Sequence, residues 1–210
     1  MHRIMCGCYP CGSHLFSFPQ IAMKPSEHTS EEIIASTQNW LEKAVIGLNL
    51  CPFARAVHIK KQIRYFVSEA RTPEALLQDL INEFEVLAEA NPEKLETTLL
   101  IHPYVLTDFL DYNEFLDVAD EALEDADLDG ILQVASFHPD YQFADTEVDD
   151  IENFTNRSPF PTLHLLREES IDKAVQAFPE ADAIYEKNVQ TLRELGIKGW
   201  RKLFITSEKT

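Results

Sequence analysis

The chain lacks several features that would assign it to a well-known class of proteins. No uninterrupted apolar run of about 18 residues occurs, so the sequence predicts no membrane-spanning helix. The phosphate-binding P-loop, the dinucleotide glycine pattern, Gly-x-Ser-x-Gly and His-Glu-x-x-His are all absent. Any functional site must therefore be found from the placement of single residues.

Cysteine is scarce in the part of the chain that has globular character. Four cysteines occur, and three of them, Cys6, Cys8 and Cys11, lie within the first eleven residues. That distribution is not a disulfide framework, so we expect a protein of the reducing cytoplasm. No second Cys/His pair with zinc spacing follows Cys11, and no metal site is predicted.

Basic residues are also few, with 18 Lys and Arg against 36 Asp and Glu and a net charge of -18. So acidic a surface repels phosphate backbones and anionic lipids, so neither nucleic acid nor a membrane is a predicted partner. The run from Arg55 to Arg64 is an exception to this acidity, because it is basic. It could be an anion site, or it could pair with the acidic helix near Asp120. A solvated surface is the expected role of that helix's acidic face, because it has no calcium-loop pattern.

The first 22 residues differ from the rest of the chain. Met1 to Ala22 contains no acid and shows no helical or strand period, and its apolar stretch is too short for a signal peptide. We predict a disordered leader over 1–22, or a true start at Met23, followed by a single globular domain over 23–210. The total length of 210 residues suits one such domain.

Local signals predict the element order α-β-α-β-α-β-β-α-α. Thr29 and Glu32 form a capping box before an apolar stripe that Pro52 ends, and Thr72-Pro73 starts the next helix. Later helices are expected near Asp111–Ala126, Ser170–Phe178 and Glu180–Leu195, with Gly196 as a C-cap. The predicted strands are Gln62–Ser68, Thr97–Ile101, Ile131–Phe137 and Thr162–Leu166.

Strands that alternate with helices predict an α/β fold. We expect a small mixed, mainly parallel sheet of about four strands, packed with about five helices. The first three strands would form the parallel core, and the fourth would join at an edge in either direction. A ferredoxin-like α+β two-layer sandwich is the alternative, if the helices all cover one face.

Two histidines mark the ends of predicted strands. His102 and His138 each follow the last apolar residue of a strand, and each precedes a proline. Ligands of open α/β sheets bind beyond the carboxyl ends of parallel strands, so both imidazoles should lie on one rim. They are candidate catalytic residues, as an acid and a base. The alternative is that His-Pro simply ends each strand.

Cys51 is a third candidate catalytic residue. It follows the first helix, and its thiol would need a nearby cation such as Arg55 or His58 to become a reactive thiolate. Its place after the C-terminus of a helix disfavours that charge, because the helix dipole is negative there. A lone cysteine of this kind is more often a small buried apolar residue.

Asn156-Arg157-Ser158 is the candidate anion-binding segment. Arg157 is the only Lys or Arg between Lys94 and Arg167. It could bind a carboxylate or phosphate through two hydrogen bonds, with Asn156 and Ser158 beside it. The alternative is a structural strut that pairs with the acidic residues around it.

Four short motifs occur in combination: Cys51-Pro52-Phe53, His102-Pro103, Ser136-Phe137-His138-Pro139 and Asn156-Arg157-Ser158-Pro159. Together they resemble a bacterial family called domain of unknown function 1415, over about Thr37 to Leu195. The resemblance implies a soluble bacterial protein, and it brings no reaction, cofactor or catalytic residue.

Two functions remain open at this point. The first is an enzyme that acts on a small anionic metabolite with His102, His138, Arg157 and Cys51 near one rim. The second is a non-catalytic acidic binding or adaptor protein that is steered to a basic partner. The sequence leaves the cofactor and the oligomeric state unknown. Convergence of the candidate side chains would favour the enzyme.

Overall fold

The computed structural model describes residues 28–177 and 183–205. The helices are α1 (Ser30–Trp40), α2 (Ala54–Ile59), α3 (Pro73–Glu89), α4 (Phe109–Asp125), α5 (Glu168–Ala177) and α6 (Ile184–Leu203). The strands are β1 (Ile63–Val67), β2 (Thr97–Ile101), β3 (Leu132–Phe137) and β4 (Thr162–Arg167). A π-helical segment, Leu41–Ile46, continues α1, and a 3-10 turn, Ile151–Thr155, precedes β4. The predicted leader Met1–Ala22 lies outside the described residues.

The helix starts are where the capping signals predict them. The Thr29 hydroxyl accepts a hydrogen bond from the Glu32 amide, and the Glu32 carboxylate accepts one from the Thr29 amide. The Thr72 hydroxyl caps α3 by accepting a hydrogen bond from the Ala75 amide, with Pro73 at the first helical position. Gly196 has a φ of 62° at a kink inside α6, so one helical segment ends there as predicted, and a second segment follows it.

The fold class is confirmed, because a four-stranded mixed sheet packs with six helices among the described residues. The strand order is β1-β2-β4-β3, in which β1 and β2 are parallel and β4 is antiparallel to both neighbours. The strands β1, β2 and β3 therefore run in one direction, as predicted. The pairing is nevertheless mostly antiparallel, which corrects the expectation of a mainly parallel sheet.

The position of β4 explains this difference. It lies between β2 and β3 and not at the predicted edge. Leu163 and Leu165 are completely buried on one face of β4, and Thr162 is buried on the other. A strand buried on both faces belongs inside a sheet, whereas β3, with its polar Gln133 and Ser136, is suited to an edge.

Helices cover both faces of the sheet. Leu80 and Phe84 of α3 and Phe115 of α4 pack in one core with Leu100 and Leu163. On the other face, α1 and the π-helical segment pack with α6 and with the apolar side chains that point the opposite way. The result is three layers, so the ferredoxin-like two-layer alternative is wrong. None of the described helices is long and apolar enough to span a bilayer.

The register of β4 brings the ends of β2 and β3 close together. Ile101 and Phe137 are the last residues of their strands, and both pair with Thr162 from opposite sides. Tyr112 of α4 lies above this point. Its hydroxyl donates to the Thr162 carbonyl at 2.9 Å and accepts from the Phe137 amide at 3.1 Å. One buried hydroxyl thus ties α4 to two strands.

We expect Tyr112→Phe to destabilise the protein by about 1–3 kcal/mol, because it leaves a buried amide and a buried carbonyl short of a partner. Tyr65→Phe is the matched control, since the Tyr65 hydroxyl is buried without a hydrogen-bond partner among the described residues. Its removal should be neutral or stabilising. Urea unfolding measures both changes, and equal losses would contradict the role of the Tyr112 hydroxyl.

Candidate functional site

His102 is fully buried directly after β2. Its amide donates to the Pro161 carbonyl at 3.0 Å, which fixes the backbone next to β4. In the ring, Nδ1–H donates to the Val105 carbonyl at 3.0 Å. The other nitrogen, Nε2, is buried and has no hydrogen-bond partner among the described residues. In the neutral ring that atom carries a free lone pair.

His138 is fully buried directly after β3 and has the opposite arrangement. Its Nδ1 accepts a hydrogen bond from the Asp140 amide at 3.0 Å, so the neutral ring carries its proton on Nε2. Burial lowers the pKa of His138, and weak hydrogen bonds to the backbone of Leu106 and Thr107 oppose this. Nε2 makes no hydrogen bond of normal length and angle within the described part of the chain. His138 therefore presents a weakly bonded donor where His102 presents an unused acceptor.

Both rings contact Tyr112. The ring centroids of His102 and Tyr112 are 5.6 Å apart in a stacked arrangement, and those of His138 and Tyr112 are 5.1 Å apart. Phe109 adds a contact to His138 at 5.5 Å. The prediction that the two histidines share one rim of the sheet is therefore confirmed, and both side chains point to the α4 side.

The segment 103–108, which we call the cover loop, lies over this rim. It contributes the Val105 carbonyl to His102, and its Leu106 and Thr107 lie against His138. Leu106 has a φ of 53°, in the left-handed region that costs a residue with a side chain of this kind about 1–2 kcal/mol. Strain of this kind is concentrated at ligand-binding and switching segments.

Burial keeps the two imidazoles uncharged. It lowers the pKa of His102 to about 4, against its bond to Val105, and the nearby His138 lowers that pKa further. Burial also lowers the pKa of His138, although Asp140 and Asp108 act in the opposite direction. At neutral pH the His102 ring can accept a proton at Nε2 as a general base, and the neutral His138 ring can donate a hydrogen bond from Nε2–H.

Cys51 is not brought together with the histidines. Its thiol packs against the apolar cluster of Trp40, Leu50 and Trp200 on the other face of the sheet. Burial raises the pKa of the Cys51 thiol, against the hydrogen bonds from Phe53 and Ala54. These surroundings match a small buried residue and oppose a thiolate, so the catalytic role predicted for Cys51 gains no support.

The predicted anion segment lies beside the rim, because the Asn156 carbonyl accepts the His138 amide at 3.2 Å. Asn156 Nδ2 donates to the Ser136 carbonyl at 3.1 Å, and the Ser158 hydroxyl donates to the Phe160 carbonyl at 2.6 Å. The side chains of Asn156 and Ser158 thus stabilise the backbone conformation.

Arg157 is almost completely buried under the acidic loop. Its Nε donates to the Tyr141 carbonyl at 3.1 Å and its Nη2 to the Val148 carbonyl at 2.7 Å. The guanidinium also lies 4.5 Å above the Phe154 ring. Burial lowers the pKa of Arg157, and Asp140 and Asp149 oppose this. The contacts match the strut interpretation, and anion binding by this segment stays a prediction.

The sequence alone did not single out a further group on the same rim. Ser68 follows β1. Its amide donates to the carbonyl of Ile101 at 2.8 Å, and Ile101 directly precedes His102. Its hydroxyl donates to Asp79 at 2.6 Å, and the Arg71 guanidinium lies 4.6 Å from the centroid of the Tyr104 ring. The only sequence signal that could have identified Ser68 is its position at the end of a predicted strand.

His164 is a third histidine with a lowered pKa, about 4, caused by burial. It was not a sequence candidate, because it lies inside β4. Its Nε2 is 2.8 Å from the Thr97 hydroxyl, which itself donates to the Leu165 carbonyl. His164 Nε2 is therefore satisfied, and this residue provides a natural comparison for the unsatisfied pair.

A cavity of about 580 Å³ lies at the opposite ends of the strands, away from the rim that carries the histidines. Gln62, Glu96 and Ile131 line it just before β1, β2 and β3, and Arg167 lines it at the end of β4. It is thus remote from the histidines, which a substrate can reach only if the cover loop moves. No three His, Cys, Asp or Glu side chains of the described ranges are grouped to hold a metal ion.

Comparison with known proteins assigns a family but no activity. The family described as protein of unknown function (DUF1415) matches residues 32–202, which includes every candidate residue above. The match confirms the family resemblance seen in the four motifs. No curated protein and no solved structure matches the chain.

The buried imidazoles predict a loss of stability in mild acid. The pKa of His102 is about 4 in the folded chain against an ordinary 6.5, so the unfolded chain binds more protons between these values. Stability is full above the unfolded pKa and falls as the pH decreases towards the folded one. His102 alone should remove about 2 kcal/mol between about pH 7 and about pH 5.

Urea unfolding at both pH values measures this effect. His102→Asn should reduce the pH dependence by the share of His102, because an asparagine amide can still donate to the Val105 carbonyl but does not titrate. The contributions of His138 and His164 remain in this variant. His58, which is partly exposed and 3.4 Å from Glu42, provides the control His58→Asn. An unchanged pH dependence in His102→Asn would show that His102 is not buried in its neutral form.

The strut interpretation makes its own prediction for Arg157. Hydrogen bonds from a charged group contribute about 1.5–3 kcal/mol each, so Arg157→Ala should destabilise by at least about 2 kcal/mol. The exposed Arg55→Ala should change the free energy of unfolding by less than about 0.5 kcal/mol. Thermal melting with phosphate or a small carboxylate, and with sulfate as a control, tests anion binding by the same variant. An anion shift lost in Arg157→Ala would contradict a purely structural role.

Proposed function

We propose that this chain, which belongs to the DUF1415 family, is an enzyme that transfers protons on a small anionic molecule. His102 would be its catalytic base, and His138 would donate a hydrogen bond to the negative charge that develops on the substrate. The observation that carries the proposal is that both imidazoles are fully buried at one rim and that Nε2 of each makes no hydrogen bond of normal geometry among the described residues.

The free-energy cost of leaving these nitrogen atoms without normal hydrogen bonds favours the binding of a ligand. A buried polar group without a hydrogen bond costs about 1–3 kcal/mol, and such groups are rare in native proteins. Apolar side chains at both positions would fill the same space without that cost. Two nitrogens of complementary type without a normal hydrogen bond, both against Tyr112, match a site that a substrate completes.

The tautomers assign the roles. The lone pair on His102 Nε2 would accept a proton from the substrate, and His138 Nε2–H would donate a hydrogen bond to the substrate oxygen on which negative charge develops. The neutral His138 ring would keep its proton, because its loss would leave an imidazolate. The reaction class is an isomerisation in which the His102 imidazolium returns a proton to a neighbouring substrate atom. Burial makes the resulting imidazolium costly, so negative charge on the substrate would stabilise it.

Access to the site would require movement of the cover loop. Val105 and Leu106 lie against the two imidazoles, and the strain at Leu106 lowers the cost of leaving the closed arrangement. Loops that close over a substrate and exclude water are a common device of enzymes. Closure would also strengthen the electrostatic interactions between substrate and histidines.

The charge and the cysteine of such an enzyme bear on its partners and its cellular location. The net charge of -18 supports a protein without nucleic-acid or anionic-membrane partners. Within the described ranges Cys51 is a free thiol, which supports a cytoplasmic location. The same charge is the observation that favours the second candidate, an acidic adaptor steered to a basic partner.

Metabolite profiling of the purified protein tests the proposal. Wild type in deuterated water should deplete at least one small carboxylate or phosphate from a cell extract, and its product should gain solvent deuterium. His102→Asn and His138→Asn should abolish this, although asparagine can keep each hydrogen bond made by Nδ1. His164→Gln is the matched control, because glutamine can replace the satisfied Nε2.

The adaptor alternative predicts a different outcome. No metabolite would change with wild type, or any change would persist in His102→Asn and His138→Asn. Either result would remove the proton-transfer proposal. Far-UV circular dichroism and melting of each variant confirm that a loss of turnover is not a loss of folding.

A further inference from the structure

Arg71 is held in a fixed position on the same rim. Its guanidinium carbon lies 4.6 Å from the centroid of the Tyr104 ring, while the residue as a whole is exposed. A guanidinium stacked on an aromatic face keeps the edge with its N–H donors free. Arg71 makes no ion pair with any carboxylate of the described residues.

Three other arginines of the described chain already have strong partners. Arg64 donates to both carboxylate oxygens of Glu83, at 2.7 and 2.9 Å. Arg193 pairs with Glu152 at 2.7 Å. Arg157 donates to backbone carbonyls under the acidic loop. In a chain with a net charge of -18, a positioned and unneutralised guanidinium is a local exception.

A rigid turn places Arg71 there. The Ser68 hydroxyl donates to the Asp79 carboxylate at 2.6 Å and accepts from the Ala70 amide at 3.0 Å. Ser68 and Ala70 are both buried, and the Ser68 amide is bonded to Ile101 of β2. The turn that precedes Arg71 is therefore fixed from both sides, so little entropy is lost when Arg71 binds a ligand.

The stacking partner connects Arg71 to the histidines. Tyr104 lies two residues after His102 in the cover loop, between buried Pro103 and buried Val105. The Val105 carbonyl accepts from His102 Nδ1. Any anion held by the free edge of Arg71 would thus lie against the loop that covers the buried imidazoles.

We infer that Arg71 binds the anionic group of the substrate, and that this group is a carboxylate or a phosphate. Both anions match the planar donors of a guanidinium, which can bind them through two parallel hydrogen bonds. The inference rests on the proposed function for the identity of the site, and it assigns recognition of the substrate's charge to Arg71.

Nitrogen-15 NMR of the arginine Nε–H groups tests this assignment in the full chain. Inorganic phosphate and succinate are titrated separately at constant ionic strength, which distinguishes the two anion classes. We expect a saturable shift of the Arg71 Nε–H signal, and of the Tyr104 ring signals, with at least one of them. Arg71→Gln should weaken the binding by about tenfold or more.

Two further variants make the test specific. Arg55→Gln is the matched control, since Arg55 is an exposed arginine on α2 and should leave binding unchanged. Arg157→Ala tests the competing segment. The inference is overturned if neither anion gives a saturable shift, if binding survives in Arg71→Gln, or if only Arg157→Ala removes it.

The same variants separate this inference from the proposed function. His102→Asn and His138→Asn should retain anion binding at Arg71 while they abolish proton exchange. Binding at Arg71 without any metabolite turnover would support Arg71 and contradict the enzyme. Turnover that needs both histidines but has an unchanged KM in Arg71→Gln would support the enzyme and contradict Arg71.

Discussion

The insertion of β4 between β2 and β3 is the constraint on which the candidate site depends. Because Ile101 and Phe137 both pair with Thr162, the two strands end at the same level on either side of one residue. His102 and His138 then begin their loops at one edge. The Tyr112 hydroxyl holds this junction through bonds to β3 and β4. An edge position for β4 would have left β3 free to pair elsewhere.

Under the proposed function, the site would be a compromise between stability and chemistry. Burial keeps both imidazoles neutral, and it lowers the pKa of His102 to about 4. The opposed hydrogen bonds at Nδ1 give the two rings different tautomers. Both Nε2 atoms lack a normal hydrogen bond in the described part of the chain, although His164 shows that this fold can satisfy a histidine in its interior. Such a local loss of stability is typical of residues retained for chemistry.

The local features and the shared rim could be predicted from the sequence, because they depend on residues close together in the chain and on the direction of the strands. The Thr29 capping box and the His-Pro strand ends are short-range signals, and strands in one direction share an edge. The central place of β4 depends on long-range pairing, which a local pattern does not encode. The strut interpretation of Arg157 was open from the sequence, but its partners were hidden, since the carbonyls of Tyr141 and Val148 reach it only through the folded loop. The full burial of His102 likewise depends on how the cover loop packs.

The tautomers of the two buried histidines are the most direct test of the central claim. Long-range proton–nitrogen NMR correlations distinguish an imidazole protonated at Nδ1, at Nε2 or at both nitrogens. At neutral pH we expect His102 to carry its proton on Nδ1 and His138 on Nε2, with neither ring charged. A charged imidazole, or the same tautomer at both positions, would contradict a base and a hydrogen-bond donor placed together at one rim.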